Sequence, residues 1–186
     1  MKNTHLDKIS GSITAFRWIL LPVLILTHAS CFSQQRNGYL GLDRGIYVIK
    51  QYDAAAGAHF SGNAELTNDV FLGAEIGFVK FDHLDKVYLP LLARFSFMPQ
   101  LNLRRANLLI LLAPGYGVYD DSYRRNTTYY KSKGGFSFYG GAGAAFRGKG
   151  NAYLTLTIGY ATFGFTTNGY KSNIDGVGIR IGALFR

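Results

Sequence analysis

Seven ionisable residues fall on alternate-residue rows whose other members are mostly Gly, Ser and Thr: Asp43, His59, Glu65, Glu75, Arg94, Arg147 and Arg180. Residues at i and i+2 of a strand share a face. A face carrying both signs of charge, withdrawn from water, must pair them. The first expectation is therefore a polar network filling an interior, rather than a catalytic or ion-conducting constellation. His59, Ser61 and Glu65 share one such row and have the residue types of a lipid hydrolase. That chemistry also needs mutual reach and an oxyanion site, which i, i+2 spacing does not supply. His83 between Asp82 and Asp85 has metal-ligand residue types, but an ordinary polar loop accounts for it better. GYLGLDRG and the Gly-rich stretch near 134–147 lack both the Lys-Ser/Thr of a phosphate loop and a strand–turn–helix setting. No cofactor, metal site or catalytic residue is expected.

A second group of charges sits in DDSYRRNTTYYKSK, where Arg124, Arg125, Lys131 and Lys133 lie beside Tyr123, Tyr129 and Tyr130. Basic residues interleaved with aromatics can bind single-stranded nucleic acid. An exported chain disfavours that partner. Anionic lipopolysaccharide headgroups or plain solvation fit better.

The elements that must position these residues are strands. No stretch after residue 33 has 18 consecutive apolar residues, and long capped helical patterns are absent. Period-2 alternation instead predicts eight strands, at about 39–50, 54–66, 70–81, 87–98, 106–119, 134–147, 151–165 and 174–186. One row of each is continuously apolar, as in Val70, Leu72, Ala74, Ile76 and Phe78, or Val177, Ile179, Ile181, Ala183 and Phe185. The opposite rows are rich in Gly, Ser and Thr. A soluble barrel would turn its greasy face inward and its charged face to water. Here the second face is small, as a crowded interior requires, so the greasy face must meet lipid. The fold class expected is all-β, an eight-stranded antiparallel up-and-down transmembrane β-barrel. An interior of that size holds side chains or one small ligand.

Composition agrees. Among 186 residues there are 23 Gly, 14 Phe and 13 Tyr, and charged residues make up 17 %, below the roughly 25 % usual for soluble domains. One Cys excludes an internal disulfide framework. Two features resist the scheme. Arg44 falls on the apolar row between Leu42 and Ile46, so it either snorkels or marks a bulge that shifts the register. Gly62 interrupts the outer row of the second strand. The connections expected at the outer end are Lys50–Asp53, Phe81–Lys86, Asp120–Lys133 and Thr166–Asn173, of which Asp120–Lys133 is the longest. Phe97, Phe146 and Phe185 are expected at one rim and Tyr116, Phe136 and Tyr160 at the other, as an aromatic girdle.

The first 33 residues read as a secretory signal peptide, with Lys2, Lys8 and Arg17 ahead of the short apolar run WILLPVLILT and then small residues in THASCFS. The run is too short for a spanning helix. Cys31 invites a lipoprotein reading, but His28 stands where a lipobox has Leu. Cleavage fits after Ser30 or after Ser33; removal of 1–33 takes Lys2, Lys8, Arg17 and Asp7 with it and lowers the net charge from +9 to +7.

The stretches VYLPLLARFSF…NLLILLAPGYGVYDD, GGFSFYGGAGAAF and IDGVGIRIGALF resemble the small outer-membrane β-barrel proteins of Bacteroidota, in the porin-like/OmpA-transmembrane-like superfamily. The resemblance covers residues 37–186. It implies an outer-membrane location and a terminal assembly signal with Phe185 as its aromatic, read by the barrel-assembly machinery; Arg186 departs from it by following that aromatic. The implied partners are outer-membrane lipids, with lipopolysaccharide at the surface, and the chain is expected to be a monomer. The implied role is non-enzymatic, structural or surface-interacting. The alternatives are a narrow channel or small-solute transporter and, in the manner of outer-membrane deacylases, a lipid-modifying hydrolase.

Overall fold

The structure is a computed structural model that describes residues 38–49, 54–82, 84, 86–99, 106–125, 128–148 and 152–186. The expected signal peptide with Cys31, and His83 with Asp85, lie outside the described residues. Along the chain run β1 (Gly38–Ile49), β2 (Ala54–Thr67), β3 (Val70–Phe81), β4 (Leu89–Phe97), β5 (Ala106–Val118), β6 (Asp120–Arg125), β7 (Thr128–Arg147), β8 (Ala152–Thr167) and β9 (Tyr170–Phe185).

Eight of these close into a ring. Strands β5 to β1 pair in succession, β1 pairs with β9, and β9–β8–β7 returns to β5. Every pairing is antiparallel. The result is a closed eight-stranded barrel, with β6 attached outside the ring and paired to β7. Closure leaves the ring without an open edge. The starts of β1 and β8 and the ends of β4, β7 and β9 define a termini end. The opposite end carries the projecting hairpins.

Alternation decides what each strand buries. In β1, Tyr39, Gly41, Asp43, Gly45, Tyr47 and Ile49 point inward, and Leu40, Leu42, Arg44, Ile46 and Val48 point outward. The outward row is exposed to an extent unusual for aliphatic side chains, with Leu40 at 71 %, Ile46 at 63 % and Ile158 at 59 %. A band of this kind encircles the barrel, far beyond the apolar patch that a monomer tolerates in water. The 12 residues of β1, tilted by roughly 45°, rise about 28 Å. The two strand prolines coincide with gaps in the ladders. Pro90 follows the interruption between β3 and β4 after Ile76↔Leu91, and Pro114 sits in the gap between Leu92↔Gly115 and Phe95↔Leu112. A residue without N–H cannot complete those bonds.

Two segments expected as loops are strands. Residues 120–125 pair antiparallel with residues 128–133, from Asp120↔Lys133 to Arg125↔Thr128. Residues 166–173 continue β8 and β9 through a turn at Asn168 (φ 50°) and Gly169 (φ 89°). Polarity suggested loops, but Tyr and Thr favour strands, and Asn-Gly is a two-residue hairpin turn. At Arg44 both ladders run without a shift, Arg44↔Ala58 on one side and Arg44↔Ile181 on the other. No bulge turns this residue inward, and its side chain stays exposed on the outer face.

The barrel interior is packed in three layers. Towards the termini end lie Tyr39, Phe71, Met98, Leu109 and Leu184. Towards the hairpin end a larger aromatic cluster surrounds Phe163, whose ring meets Tyr47, Phe81 and Tyr88 edge to face at 5.2, 5.1 and 5.6 Å. Between the two lies a layer of charges.

Candidate functional site

Five strands contribute to the charged layer: Asp43 from β1, His59 from β2, Glu75 from β3, Arg94 from β4 and Arg180 from β9. All five are buried, none more than 3 % exposed. Their convergence follows from parity. Each lies on the inward row of its strand, and the strand registers bring them to similar depth. Ser61, on the same row as His59, stands opposite Glu75 on β3, and Gly73 stands opposite Arg94 on β4.

Arg94 Nη1 donates to Asp43 Oδ2 at 2.6 Å and to Glu75 Oε2 at 3.0 Å. Arg180 Nη1 donates to Glu75 Oε1 at 2.7 Å, and its Nε donates to the Tyr47 hydroxyl at 3.0 Å. The Tyr47 hydroxyl and His59 Nε2 share a hydrogen bond of 2.7 Å. His59 Nδ1 lies 3.0 Å from Glu75 Oε1, off the direction of a good hydrogen bond. Asp43 also accepts from Thr155 at 3.4 Å. The Arg180 guanidinium stacks 3.8 Å from the centre of the Tyr139 ring, whose hydroxyl shares a hydrogen bond with Thr157. Two guanidinium groups thus face two carboxylates. The layer is close to neutral, as groups this far from water require.

Inner-face glycines provide the room. A Cβ on Gly77 would lie 2.5 Å from His59 Nδ1, and one on Gly178 would lie 2.6 Å from Tyr47 Cδ1. A Cβ on Gly182 would overlap the Asp43 carboxylate, and one on Gly117 would overlap the Tyr88 ring.

Glu65 and Arg147 keep the expected row but lie at the strand ends, Glu65 half-buried and Arg147 exposed. At these positions side chains meet the barrel rim, so the two residues are not drawn into the layer. Lys131 and Lys133 are exposed on the projecting part of β7, with Lys133 opposite Asp120. Arg124 and Arg125 lie on β6, opposite Tyr129 and Thr128 in its register. Phe185 ends β9 on the outer face, paired with Leu40 and Ala152. Of the expected rim aromatics, Tyr116, Phe136, Tyr160, Phe146 and Phe185 are exposed on the outer face, and Phe97 is half-buried.

Four partners in the layer are outside the expected set of charges: Tyr47, Tyr139, Thr155 and, through Tyr139, Thr157. Tyr47 is four residues from Asp43 on the same row, and that signal was available. The hydrolase arrangement is not assembled. His59 Nε2 is taken up by the Tyr47 hydroxyl and its Nδ1 lies beside Glu75, not Ser61, while Ser61 Oγ accepts from Asn63 Nδ2 at 3.1 Å. Among the described residues no three His, Cys, Asp or Glu side chains gather as a metal site.

No protein-family model matches this chain. No curated protein matches it in sequence either. Its fold is similar to several solved structures. A major outer membrane protein from Thermus thermophilus is 15 % identical, with a TM-score of 0.57 over 80 % of this chain and 98 % of that one. Neisserial surface protein A is 12 % identical, with a TM-score of 0.56 over 80 % and 96 %. The N-terminal β-barrel domain of Pseudomonas aeruginosa OprF is 11 % identical, with a TM-score of 0.50 over 81 % and 98 %. The fold is that of a small outer-membrane-type barrel.

Proposed function

We propose that the chain is a non-enzymatic outer-membrane barrel whose interior is a structural plug and whose projecting hairpins act at the cell surface. The observation that carries this reading is the three-layered lumen, in which an ion-paired layer is closed off on both sides by apolar packing. The apolar outer band supports residence in a bilayer, where only a helix or a closed barrel satisfies its backbone. The likeness to barrels named as outer membrane or surface proteins supports the same location.

On this reading residues 1–33 direct export and are removed. The Bacteroidota-like C-terminal stretch, ending at Phe185, engages the barrel-assembly machinery. Membrane lipids surround the monomeric barrel. Arg124, Arg125, Lys131 and Lys133 on the projecting hairpin face anionic lipopolysaccharide headgroups rather than nucleic acid. Single-channel recording of the purified, lipid-reconstituted protein separates the plug from a narrow channel: a plug gives no discrete current steps, and a channel does.

A further inference from the structure

The outer band contains a cation at mid-depth. Arg44 is the seventh of the 12 residues of β1, and its side chain is exposed on the outer face between Leu42 and Ile46. Ala58 and Ile181 flank it on the neighbouring strands. Among the described residues none pairs with it. If the barrel spans a membrane, as proposed above and as this inference requires, Arg44 lies about 12 Å from either surface of a band roughly 25 Å tall. Even fully extended, its long side chain covers only about half that distance, short of a headgroup phosphate. An arginine so placed costs about 2–4 kcal/mol.

The surface beside it is shaped for close approach. On the outward row of β2, Ala54, Ala56 and Ala58 leave a shallow trough next to Arg44, bounded by exposed Phe60 and by Phe78 and Lys80 of β3. Small residues let another membrane segment come near. The outward rows of β1, β2 and β9 carry no carboxylate within the apolar band. A second copy therefore brings no ion-pair partner from this face, and two copies related by a two-fold axis here would oppose Arg44 to Arg44.

The geometry points to a heterologous partner: a different membrane-embedded protein that lays a spanning segment along the β2 trough and presents an Asp or Glu to Arg44 at mid-depth. A carboxylate removed from water pairs strongly with a guanidinium, and that pairing accounts for keeping a charge where lipid disfavours it.

The test places a photo-crosslinking residue at Ala56 of the full chain in the outer membrane of its own cells. The expected result is an adduct with one protein, whose crosslinked segment spans the membrane and carries an Asp or Glu. Arg44→Leu lowers adduct yield about tenfold, equivalent to about 1.4 kcal/mol, while the variant still inserts. Arg44→Glu combined with Arg at the partner's carboxylate restores the yield. Adducts with lipid alone, adducts with a second copy, or a yield unchanged by Arg44→Leu overturn the inference and leave the membrane reading intact. Failure of the unsubstituted chain to insert into lipid overturns that reading itself.

Discussion

Arg94 on β4 and Asp43 on β1 meet across the barrel interior at 2.6 Å, although 51 residues separate them in the chain. The same Arg94 nitrogen reaches Glu75 on β3, and Glu75 in turn reaches Arg180 on β9. These bonds tie β1, β3 and β4 to β9 across the lumen.

Removing one member should therefore cost more than one hydrogen bond. Arg94→Met leaves Asp43 and Glu75 to share Arg180, and the expected destabilisation is about 3–5 kcal/mol. Adding Asp43→Leu rebalances the layer at one guanidinium to one carboxylate, and most of the loss should be recovered. Urea unfolding in detergent or lipid, followed by gel mobility, measures both variants. Equal stability of the two would contradict the pairing.

The glycines of the inner face should be intolerant where they adjoin the charged layer. Gly182→Ala drives a methyl into Asp43 and the Leu42 carbonyl, an overpacking expected to cost about 1–3 kcal/mol. Gly148→Ala is the matched control, since its nearest neighbour would be 3.4 Å away, and it should be nearly neutral. The same unfolding assay reads the contrast.

Phe163→Ala should empty the centre of the aromatic cluster and cost about 3–5 kcal/mol. The charged layer lies beyond it, so current through the barrel should stay absent. Stability and conductance measured on one preparation would separate packing from sealing, and steps appearing in this variant alone would assign the seal to the aromatic cluster.

At the tip of the β8–β9 hairpin, Gly169→Val places a branched residue at a φ of 89°, costing about 1–2 kcal/mol of local strain. The effect should stay local. Asn168 N–H donates to the Lys131 carbonyl, and Lys131 N–H donates to Asn168 Oδ1; hydrogen exchange at these two amides should quicken, with β1–β5 protection unchanged.

Much of the fold is legible in the sequence because the outward and inward rows differ so sharply. Ile76 and Phe78 against Glu75 and Gly77 already sort β3 into two faces, and the same parity brings Asp43, His59, Glu75, Arg94 and Arg180 inward together. Parity says nothing about depth. Glu65 and Arg147 share the inward row and still finish at the rim, because their distance from the strand middle depends on register and tilt. The aromatic seal was hidden for a related reason. Tyr47 on β1, Tyr88 just ahead of β4 and Phe163 on β8 are far apart in the chain, and only closure of the ring places them in contact. The projecting hairpin was obscured by its polarity, since Tyr and Thr among charges signal a strand that is wet on both faces as readily as a loop. Arg44 was legible as an exception, and the unshifted ladders on both sides make it a property of the outer surface.

The most direct measurement of the central claim is planar-bilayer recording on protein whose insertion has been verified by heat-modifiable migration and protease protection. The account predicts an inserted barrel and no discrete current steps. Failure to insert, or regular steps from the inserted, unsubstituted chain, would contradict it.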